Sequence, residues 1–454
     1  MRRSSVEDII AYIENHEQMG NGCFPIRRFR YDTVNEAIDI LHFQGRFLDL
    51  DVYDLRGTTS LWRSNGDVNY ELARRAFKRF IENLGKRASL EDALPFVSQK
   101  TLINKPFNRY GTNLRGPLSV YKGSPYKAFK DLFDNDDEYK DYRDLQPYDL
   151  RSAPKKTWRT GTRRNYVLAR EATKKLVLKL VEKKQARKHM TKKQAILEVL
   201  PEIYGNTFRN VEINKYHTTL ENMLALVFGN SPYRAIRNLV DNDGEFRKFR
   251  DFKEYDLRYG KGNTWNRKNK TKNKRLGRRL TALLIGKIKG DEKLVNVLPR
   301  ICKDTFEDVP INRYGTTLGS MLAHVYSDSP YKAVRDLIDN NQNFARYSDL
   351  MPYDMKGTTK YIWTNPDGSK NFELARHAVR QFFAWNSDKS FEELVEEADA
   401  RTLAQTSINR YGTKFSVVFS VHGNSPYRAF KDLAEHDKKY AYLLPVIEKL
   451  KHAA

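Results

Sequence analysis

The chain has 454 residues, a length typical of two to four domains or of an array of smaller units. Aromatic residues make up 12% of the sequence, which argues against an intrinsically disordered chain. No apolar stretch of about 18 residues occurs, so we expect no membrane span. With two cysteines and no secretory signal, we expect an intracellular protein that lacks a disulfide framework and a cysteine zinc site.

Positive charge is concentrated in the middle third of the chain. The whole sequence holds 81 Lys and Arg against 57 Asp and Glu, which gives a net charge of +24. Residues 151–300 hold 38 of the basic and 14 of the acidic residues, and the rest of the chain is balanced at 43 of each. Because a concentrated positive region attracts polyanions, this distribution favours a nucleic-acid partner.

Three short sequence boxes recur four times each, in the same order. The Asn-x-Tyr box, with the pattern Asn-Arg/Lys-Tyr-Gly/His-Thr, occupies residues 108–112, 214–218, 312–316 and 409–413. The Ser-Pro-Tyr box follows it at residues 124–128, 231–235, 329–333 and 425–429. The Tyr-Asp/Trp box places a Trp nine or ten residues after the Tyr of a Tyr-Asp pair, as in Tyr53/Trp62, Tyr148/Trp158, Tyr255/Trp265 and Tyr353/Trp363. This recurrence predicts tandem units of about 100 residues.

Atypical copies occur at both ends, as expected of a linear array. Residues 26–33 echo the Asn-x-Tyr box without a Ser-Pro-Tyr box after them, and the last copy ends without a Trp. We therefore predict a degenerate N-terminal unit at 1–61, a first repeat unit at 62–157, basic units at 158–264 and 265–362, and a fourth at 363–454. The Tyr-Asp pairs are expected to pack each unit onto the next.

Helical spacing of apolar residues predicts the first two helices of each unit. The helix after the Trp is predicted over residues 70–84, 165–180 and 371–383, and its copy after Trp265 is weaker because Gly277 lies inside it. A second helix precedes the Asn-x-Tyr box. It is clearest over residues 192–200, where we expect Pro201 to end it.

Two further helices complete each predicted unit and give an all-α fold. The third is expected to start at the Thr of the Asn-x-Tyr box, with Thr316 as one such N-cap. The fourth starts at the Ser-Pro-Tyr box, with Ser as N-cap and Pro in the first helical position. Joined by a short turn, the two indicate a helix-turn-helix-like pair, whose second helix enters the major groove in that motif.

Three groups of basic residues are predicted to contact nucleic acid. The start of each fourth helix carries a basic pair: Lys127 and Lys130, Arg234 and Arg237, Lys332 and Arg335, Arg428 and Lys431. The Asn-x-Tyr boxes carry cations that either contact phosphate or cap a neighbouring helix: Arg109, Lys215, Arg313 and Arg410. The arms around the two central Trp residues carry Lys155, Lys156, Arg159, Arg163, Arg164, Arg267, Lys268, Lys270, Lys272, Lys274, Arg275, Arg278 and Arg279. The corresponding arms after Trp62 and Trp363 are less basic. The two central units should therefore make most of the phosphate contacts.

The stretch from the Asn-x-Tyr box to the Ser-Pro-Tyr box resembles the homing-endonuclease-associated repeat, a small helical module. Residues 121–128 match its aromatic-Gly-Ser turn and the following helix with an early Ala, and residues 228–235 match more loosely. The family's usual Trp after the Ser is a Tyr here, behind a Pro. The resemblance covers about a third to a half of the chain, with roughly double the spacing of a single module. It implies DNA binding.

Enzymatic motifs are weak in this sequence. There is no Walker-type loop, no Gly-x-Gly-x-x-Gly and no His-Glu-x-x-His motif. His377, Arg380 and Tyr411 echo part of a tyrosine recombinase. Asp134, Glu138 and Lys140 faintly echo a metal nuclease, and neither set recurs in the other copies. We therefore expect no catalytic activity, metal, cofactor or small-molecule substrate.

The sequence thus predicts a nucleic-acid-binding protein that favours duplex DNA. The recurring Tyr and Trp side chains are expected in the core, with stacking on single-stranded bases as the alternative. Two other functions stay open at this stage. One is an RNA-binding component of a ribonucleoprotein, and the other is a protein-interaction scaffold for an acidic partner.

Overall fold

The computed structural model describes residues 5–18, 31–55, 59–64, 67–86, 88–150, 157–258, 265, 272–356, 362–365, 367–396 and 400–450. These residues are predominantly helical, as the all-α prediction expects. Contacts divide the chain into two compact units. The first comprises residues 1–192 and 203–250, and the second comprises residues 193–202 and 251–454. The finer division into five units stays a prediction.

The helices up to residue 242 belong to the first compact unit, with one exception. In α9 (Lys192–Glu202), every residue after Lys192 belongs to the second unit. In chain order, the helices up to residue 242 are α1 (Val6–Gln18), α2 (Tyr31–Phe43), α3 (Tyr70–Gly85), α4 (Leu90–Ala93), α5 (Gln99–Asn104), α6 (Arg115–Val120), α7 (Pro125–Asn135), α8 (Tyr166–Lys188), α9, α10 (Gly205–Asn210), α11 (Glu221–Phe228) and α12 (Pro232–Asn242). Two antiparallel hairpins accompany them: β1 (Arg63–Ser64) with β2 (Asp67–Val68), and β3 (Arg159–Thr160) with β4 (Arg163–Arg164).

The second compact unit contains the remaining helices. They are α13 (Lys274–Lys289), α14 (Leu294–Val297), α15 (Lys303–Asp308), α16 (Gly319–Tyr326), α17 (Pro330–Asn340), α18 (Phe372–Trp385), α19 (Phe391–Glu396), α20 (Ala400–Gln405), α21 (Ser416–Phe419), α22 (Pro426–His436) and α23 (Leu444–Leu450). Short 3-10 helices add to both units, for example Asp137–Tyr142 and Gln342–Tyr347. Within the described ranges, no helix has the length and apolar character needed to cross a membrane.

Polar caps start the helices that the sequence predicted. The first turn of a helix leaves backbone N–H groups without partners, and a side-chain oxygen just before it can accept one of them. Asparagine does so before α3, α8, α13 and α18, at Asn69, Asn165, Asn273 and Asn371. Serine does so before α7, α12, α17 and α22, at Ser124, Ser231, Ser329 and Ser425. Each Ser is followed by the Pro that the sequence placed in the first turn.

Three details of the helices differ from the prediction. The third helix of the third copy, α16, begins at Gly319 after Leu318, and Thr316 does not cap it. The Thr316 hydroxyl instead donates to Asp256, 2.8 Å away. Pro201 lies inside the last turn of α9, and the helix ends at Glu202, two residues beyond the predicted end at Leu200. The second helix is followed by an additional short helix that the sequence did not reveal: α5, α10, α15 or α20.

The Trp side chains of the recurring boxes lie in the cores, whereas Tyr126, Tyr331 and Tyr427 of the Ser-Pro-Tyr boxes are half-buried against them. Each Trp of the Tyr-Asp/Trp box is buried, with 5–9% of its surface exposed, which confirms the predicted core position for Trp62, Trp158, Trp265 and Trp363. Trp158 stacks on Tyr148 with ring centroids 5.5 Å apart. Gly277 also has a packing role, because a Cβ there would lie 2.7 Å from the Tyr326 hydroxyl. Despite this glycine, helix α13 is continuous from Lys274 to Lys289.

Candidate nucleic-acid interface

A tight turn of two left-handed residues joins the third and fourth helices of each copy. Positive φ angles occur at Lys122 and Gly123, Gly229 and Asn230, Ser327 and Asp328, and Gly423 and Asn424. This backbone conformation suits Gly and Asn but is costly for most side chains. Each turn leads directly into the serine cap, so the first basic residue of each predicted pair lies in the first turn of its helix.

The first member of each basic pair is exposed and available. Within the described part of the chain, these side chains form no ion pair or hydrogen bond: Lys127, Arg234, Lys332 and Arg428. Their only polar contact is through the backbone, where each N–H donates to the capping serine. A free cation in the first turn of a helix adds to the positive end of the helix dipole and favours a bound anion.

The second member of each pair is held by the protein itself. Lys130 donates to the Asp134 carboxylate and to the carbonyl oxygen of Arg143, both at 2.7 Å. Arg335 likewise pairs with Asp339 and donates to the Ser348 carbonyl at 2.6 Å. Equivalent contacts tie down Arg237 and Lys431. These four cations fix the end of the fourth helix to the following segment and offer little charge to a ligand.

The cations of the Asn-x-Tyr boxes also have internal partners. Arg109 pairs with Asp49 at 2.6 Å, and the Tyr110 hydroxyl donates to the same carboxylate. The same arrangement holds Lys215 to Asp144, Arg313 to Asp251 and Arg410 to Asp349. Each cation also lies over the ring of the box Tyr, 4.9–5.4 Å from its centroid. Of the two roles expected for these residues, the structure supports a contact to a neighbouring segment.

The electrostatic effect of this arrangement is clearest at Asp251. Burial raises the pKa of Asp251, but hydrogen bonds from Arg313 and Tyr314 outweigh it, and the pKa lies below its usual value. The ionised carboxylate is therefore the form that the protein stabilises. Asp251 and its partners thus act as an ionic link between segments about 60 residues apart in the chain.

A buried aspartate beside each box was not identified as a key residue from the sequence. Asp149 is 2% exposed and accepts hydrogen bonds from Asn214 and Thr218, both at 2.7 Å. Asp54, Asp256 and Asp354 make the same two contacts with the Asn and Thr of the following box. Burial raises the pKa of Asp149, and the two side-chain donors only partly oppose this. We call each of these buried aspartates, together with its Asn and Thr donors, an Asp clip. Recurrence of Asp after the Tyr in all four boxes was the signal for it.

The Asp clip links the Tyr-Asp pair to a later segment of the chain, while the packing of one predicted unit onto the next stays a prediction. In each copy the carboxylate lies in the Tyr-Asp/Trp box, and its donors lie in the Asn-x-Tyr box that follows about 55 to 70 residues later. Each clip lies within one compact unit: the first two in the first unit, the last two in the second. Because hydrogen bonds to a buried carboxylate are strong and directional, the clip holds in place the Asn-x-Tyr box that precedes the third helix.

The β3–β4 hairpin carries three arginines close together in the chain. Arg159 pairs in register with Arg164, and Arg163 lies on the same strand as Arg164. All three side chains are exposed, and among the described residues they have no ion-pair or hydrogen-bond partner. The base of the hairpin is fixed by a backbone hydrogen bond of 2.9 Å from Asn165 to the buried Trp158. The hairpin is thus a firmly anchored cationic projection.

The second predicted arm is only partly described. Lys272 donates to the Ser327 hydroxyl at 3.3 Å, and Arg278 pairs with Asp336 at 3.2 Å. Lys274, Arg275 and Arg279 are exposed at the start of α13, without an ion-pair partner in the described chain. Five predicted contacts lie outside the described residues: Lys155, Lys156, Arg267, Lys268 and Lys270.

The two sets that echoed enzymes are not assembled into sites. His377 contacts the Tyr353 hydroxyl at 2.8 Å, Arg380 pairs with Asp437, and the Tyr411 hydroxyl donates to Asp349. Of the nuclease-like set, Asp134 pairs with Lys130 and Glu138 pairs with Lys78. Among the residues that the structure describes, no group of three or more His, Cys, Asp or Glu side chains is placed to hold a metal ion.

Comparisons of the chain with protein-family models, with curated proteins and with solved structures found no match. The resemblance to the homing-endonuclease-associated repeat therefore stays a prediction.

Proposed function

We propose that this protein binds nucleic acid, with duplex DNA as the favoured partner, through cations that its own fold leaves unpaired. The observation that carries the proposal is the division of the predicted basic residues into two classes. The cations of the Asn-x-Tyr boxes and the second members of the helix pairs have internal partners. Among the residues that the structure describes, the first members of the pairs and the β3–β4 arginines have none.

The location of the free cations supports a phosphate ligand. Lys127 and its three equivalents lie at helix N-termini, where the backbone already favours an anion. Arg159, Arg163 and Arg164 lie in the part of the sequence that holds the whole excess of positive charge. Exposed basic side chains that neutralise phosphates dominate the affinity of DNA-binding proteins.

Duplex DNA is favoured over RNA because of the short turn and the aromatic positions. A helix with a free cation in its first turn, joined to a preceding helix by a tight turn, matches the way helix-turn-helix proteins present residues to the major groove. The box Trp side chains are buried, so they are not available for the base stacking that single-strand and RNA binders use. The tandem arrangement and the proposed family are consistent with this binding mode.

The test is a competition experiment on the full chain. A fluorescent duplex of about 30 base pairs is titrated at several salt concentrations, and unlabelled duplex DNA, single-stranded DNA, a structured RNA and heparin serve as the four competitors. We expect duplex DNA to compete best, with an affinity that falls steeply with salt. Equal competition by all four would leave only nonspecific polyanion binding, and better competition by RNA would favour a ribonucleoprotein role. No binding to any nucleic acid would favour a scaffold for an acidic protein.

A matched pair of variants sharpens the test. Changing Arg159, Arg163 and Arg164 to Ala removes three unpaired cations from one hairpin. The control changes Lys100, Lys105 and Lys140 to Ala, which removes the same charge from exposed positions in the balanced part of the chain. The proposal expects a large loss of affinity in the first variant and a small one in the second.

A further inference from the structure

The β3–β4 hairpin has features that phosphate contact alone does not require. Its two strands are two residues long, and Gly161 turns the chain with φ 63°. Positive φ in the first central position is what a two-residue type II′ turn requires, and glycine adopts it without strain. The projection is therefore narrow and closed by a defined turn.

The register places two arginines side by side. Arg159 and Arg164 are direct cross-strand partners, so their side chains lie on the same face of the hairpin, and Arg163 belongs to the opposite face. Like charges directly opposite each other destabilise a hairpin. No acidic residue in the described chain offsets them, since neither arginine has an ion-pair partner. Arg159 and Arg164 carry only hydrogen-bond donors, so a ligand that offers hydrogen-bond acceptors would give this pair a favourable partner.

The corresponding hairpins of the outer copies lack this feature. The strand pair after Trp62 includes Asp67, and the turn between the bridged residues Thr364 and Lys370 carries Asp367, whose carboxylate binds Ser369. An aspartate there would repel DNA. Within the described residues, the paired arginines are thus particular to the hairpin that follows Trp158.

We infer that the β3–β4 hairpin reads guanine bases in the major groove through Arg159 and Arg164. The major groove admits a two-stranded ribbon, whereas the minor groove is about half as wide. Guanine presents two acceptors there, N7 and O6, which match the two parallel N–H donors of an arginine. The inference rests on the proposed function and adds a base preference to it.

The two exposed apolar residues next to the hairpin fit the same contact. Tyr166 and Val167 are 43% and 56% exposed and begin α8, separated from Arg164 only by the capping residue Asn165. Tyr166 also packs against Phe228, with ring centroids 5.9 Å apart, so its position is fixed. An apolar surface beside arginines can contact the thymine methyl groups that the major groove displays.

The experiment measures the affinity of the full chain for three duplexes of one guanine-containing sequence. One is unmodified, one carries 7-deazaguanine and so lacks N7, and one carries inosine, which lacks only the minor-groove amino group. We expect 7-deazaguanine to weaken binding on the order of tenfold, as loss of a bidentate base contact does. Inosine should leave the affinity unchanged. Equal affinity for all three duplexes, or a loss with inosine alone, would overturn the inference.

Charge-preserving variants separate base reading from phosphate contact. In the R159K/R164K double variant the positive charge stays, but the planar fork that binds two acceptors is lost. We expect the salt dependence to stay the same and the sensitivity to 7-deazaguanine to fall toward zero. The R163K control, on the other face, should keep that sensitivity. If both variants keep it, the inference fails while DNA binding stands; if the unaltered chain binds no duplex, the proposed function fails as well.

Discussion

The Asp clip is expected to be a major source of stability in the first compact unit, and Asp149→Ala tests it. The substitution removes the acceptor for Asn214 and Thr218 and for the backbone N–H of Gln146. A buried donor left without a partner costs about 1–3 kcal/mol. Thr218 is 7% exposed, so its hydroxyl has little access to water. Removing a buried carboxylate whose pKa is raised recovers part of this loss. We expect a net destabilisation of about 2–4 kcal/mol.

Urea denaturation measures this effect, followed by tryptophan fluorescence and by circular dichroism. With an m-value of about 2–3 kcal/mol per molar, the midpoint for the first compact unit should fall by about 1 M. The control is Asp137→Ala, because the Asp137 side chain is 94% exposed in its ion pair with Arg143. Exposed pairs of this kind often contribute nothing measurable. Equal midpoints for the two variants would refute the reasoning about the clip.

The remaining predictions concern the turn, the ionic links and the free cations. Gly315 has φ 71°, so Gly315→Ala should lower stability by about 1–2 kcal/mol. His217 has φ 56° in the same box position, so His217→Gly relieves backbone strain while it removes the contact to Glu212, and it should lower stability less than His217→Ala, which removes the contact alone; an equal loss would contradict the backbone argument. Asp251 has a lowered pKa, so its stabilisation is complete above the unfolded-state pKa and is lost as pH falls through the folded-state value. Asp251→Asn should therefore reduce the difference between melting temperatures at pH 6 and pH 3; an unchanged difference would exclude this link. Lys332→Ala should weaken DNA binding without affecting stability, and Arg335→Ala should lower stability more than binding; the reverse pattern would contradict the division into free and paired cations.

Much of the helical structure could be predicted from local sequence signals. The Ser-Pro pairs define the starts of α7, α12, α17 and α22, because a serine cap and an early proline act within one turn. The start of α16 could not be predicted in this way. Thr316 has the chemistry of an N-cap, but its hydroxyl donates to Asp256, which lies 60 residues earlier in the chain. Tertiary contact outweighed the local preference.

The division of the basic residues was only partly predictable. Lys130, Arg237, Arg335 and Lys431 each have an acidic residue four positions later, and such spacing on a helix predicts an ion pair. The partners of the Asn-x-Tyr cations could not be found in the same way. Arg109 pairs with an aspartate 60 residues away, and only the fold brings the two together.

The most direct test of the central claim is the salt dependence of duplex binding by the full chain and by the variant with Arg159, Arg163 and Arg164 changed to Ala. Each phosphate contact contributes about 0.9 to the slope of log affinity against log salt, so loss of three such contacts would reduce the slope by up to about 2.7. Arginines that bind bases instead would reduce it less but still lower the affinity. The account predicts a clear fall in affinity relative to the Lys100, Lys105 and Lys140 control. Because Arg159 and Arg164 are assigned to bases and Arg163 to phosphate, it predicts a fall in slope nearer to about 0.9 than to about 2.7. Identical slopes and affinities in the two variants would contradict it.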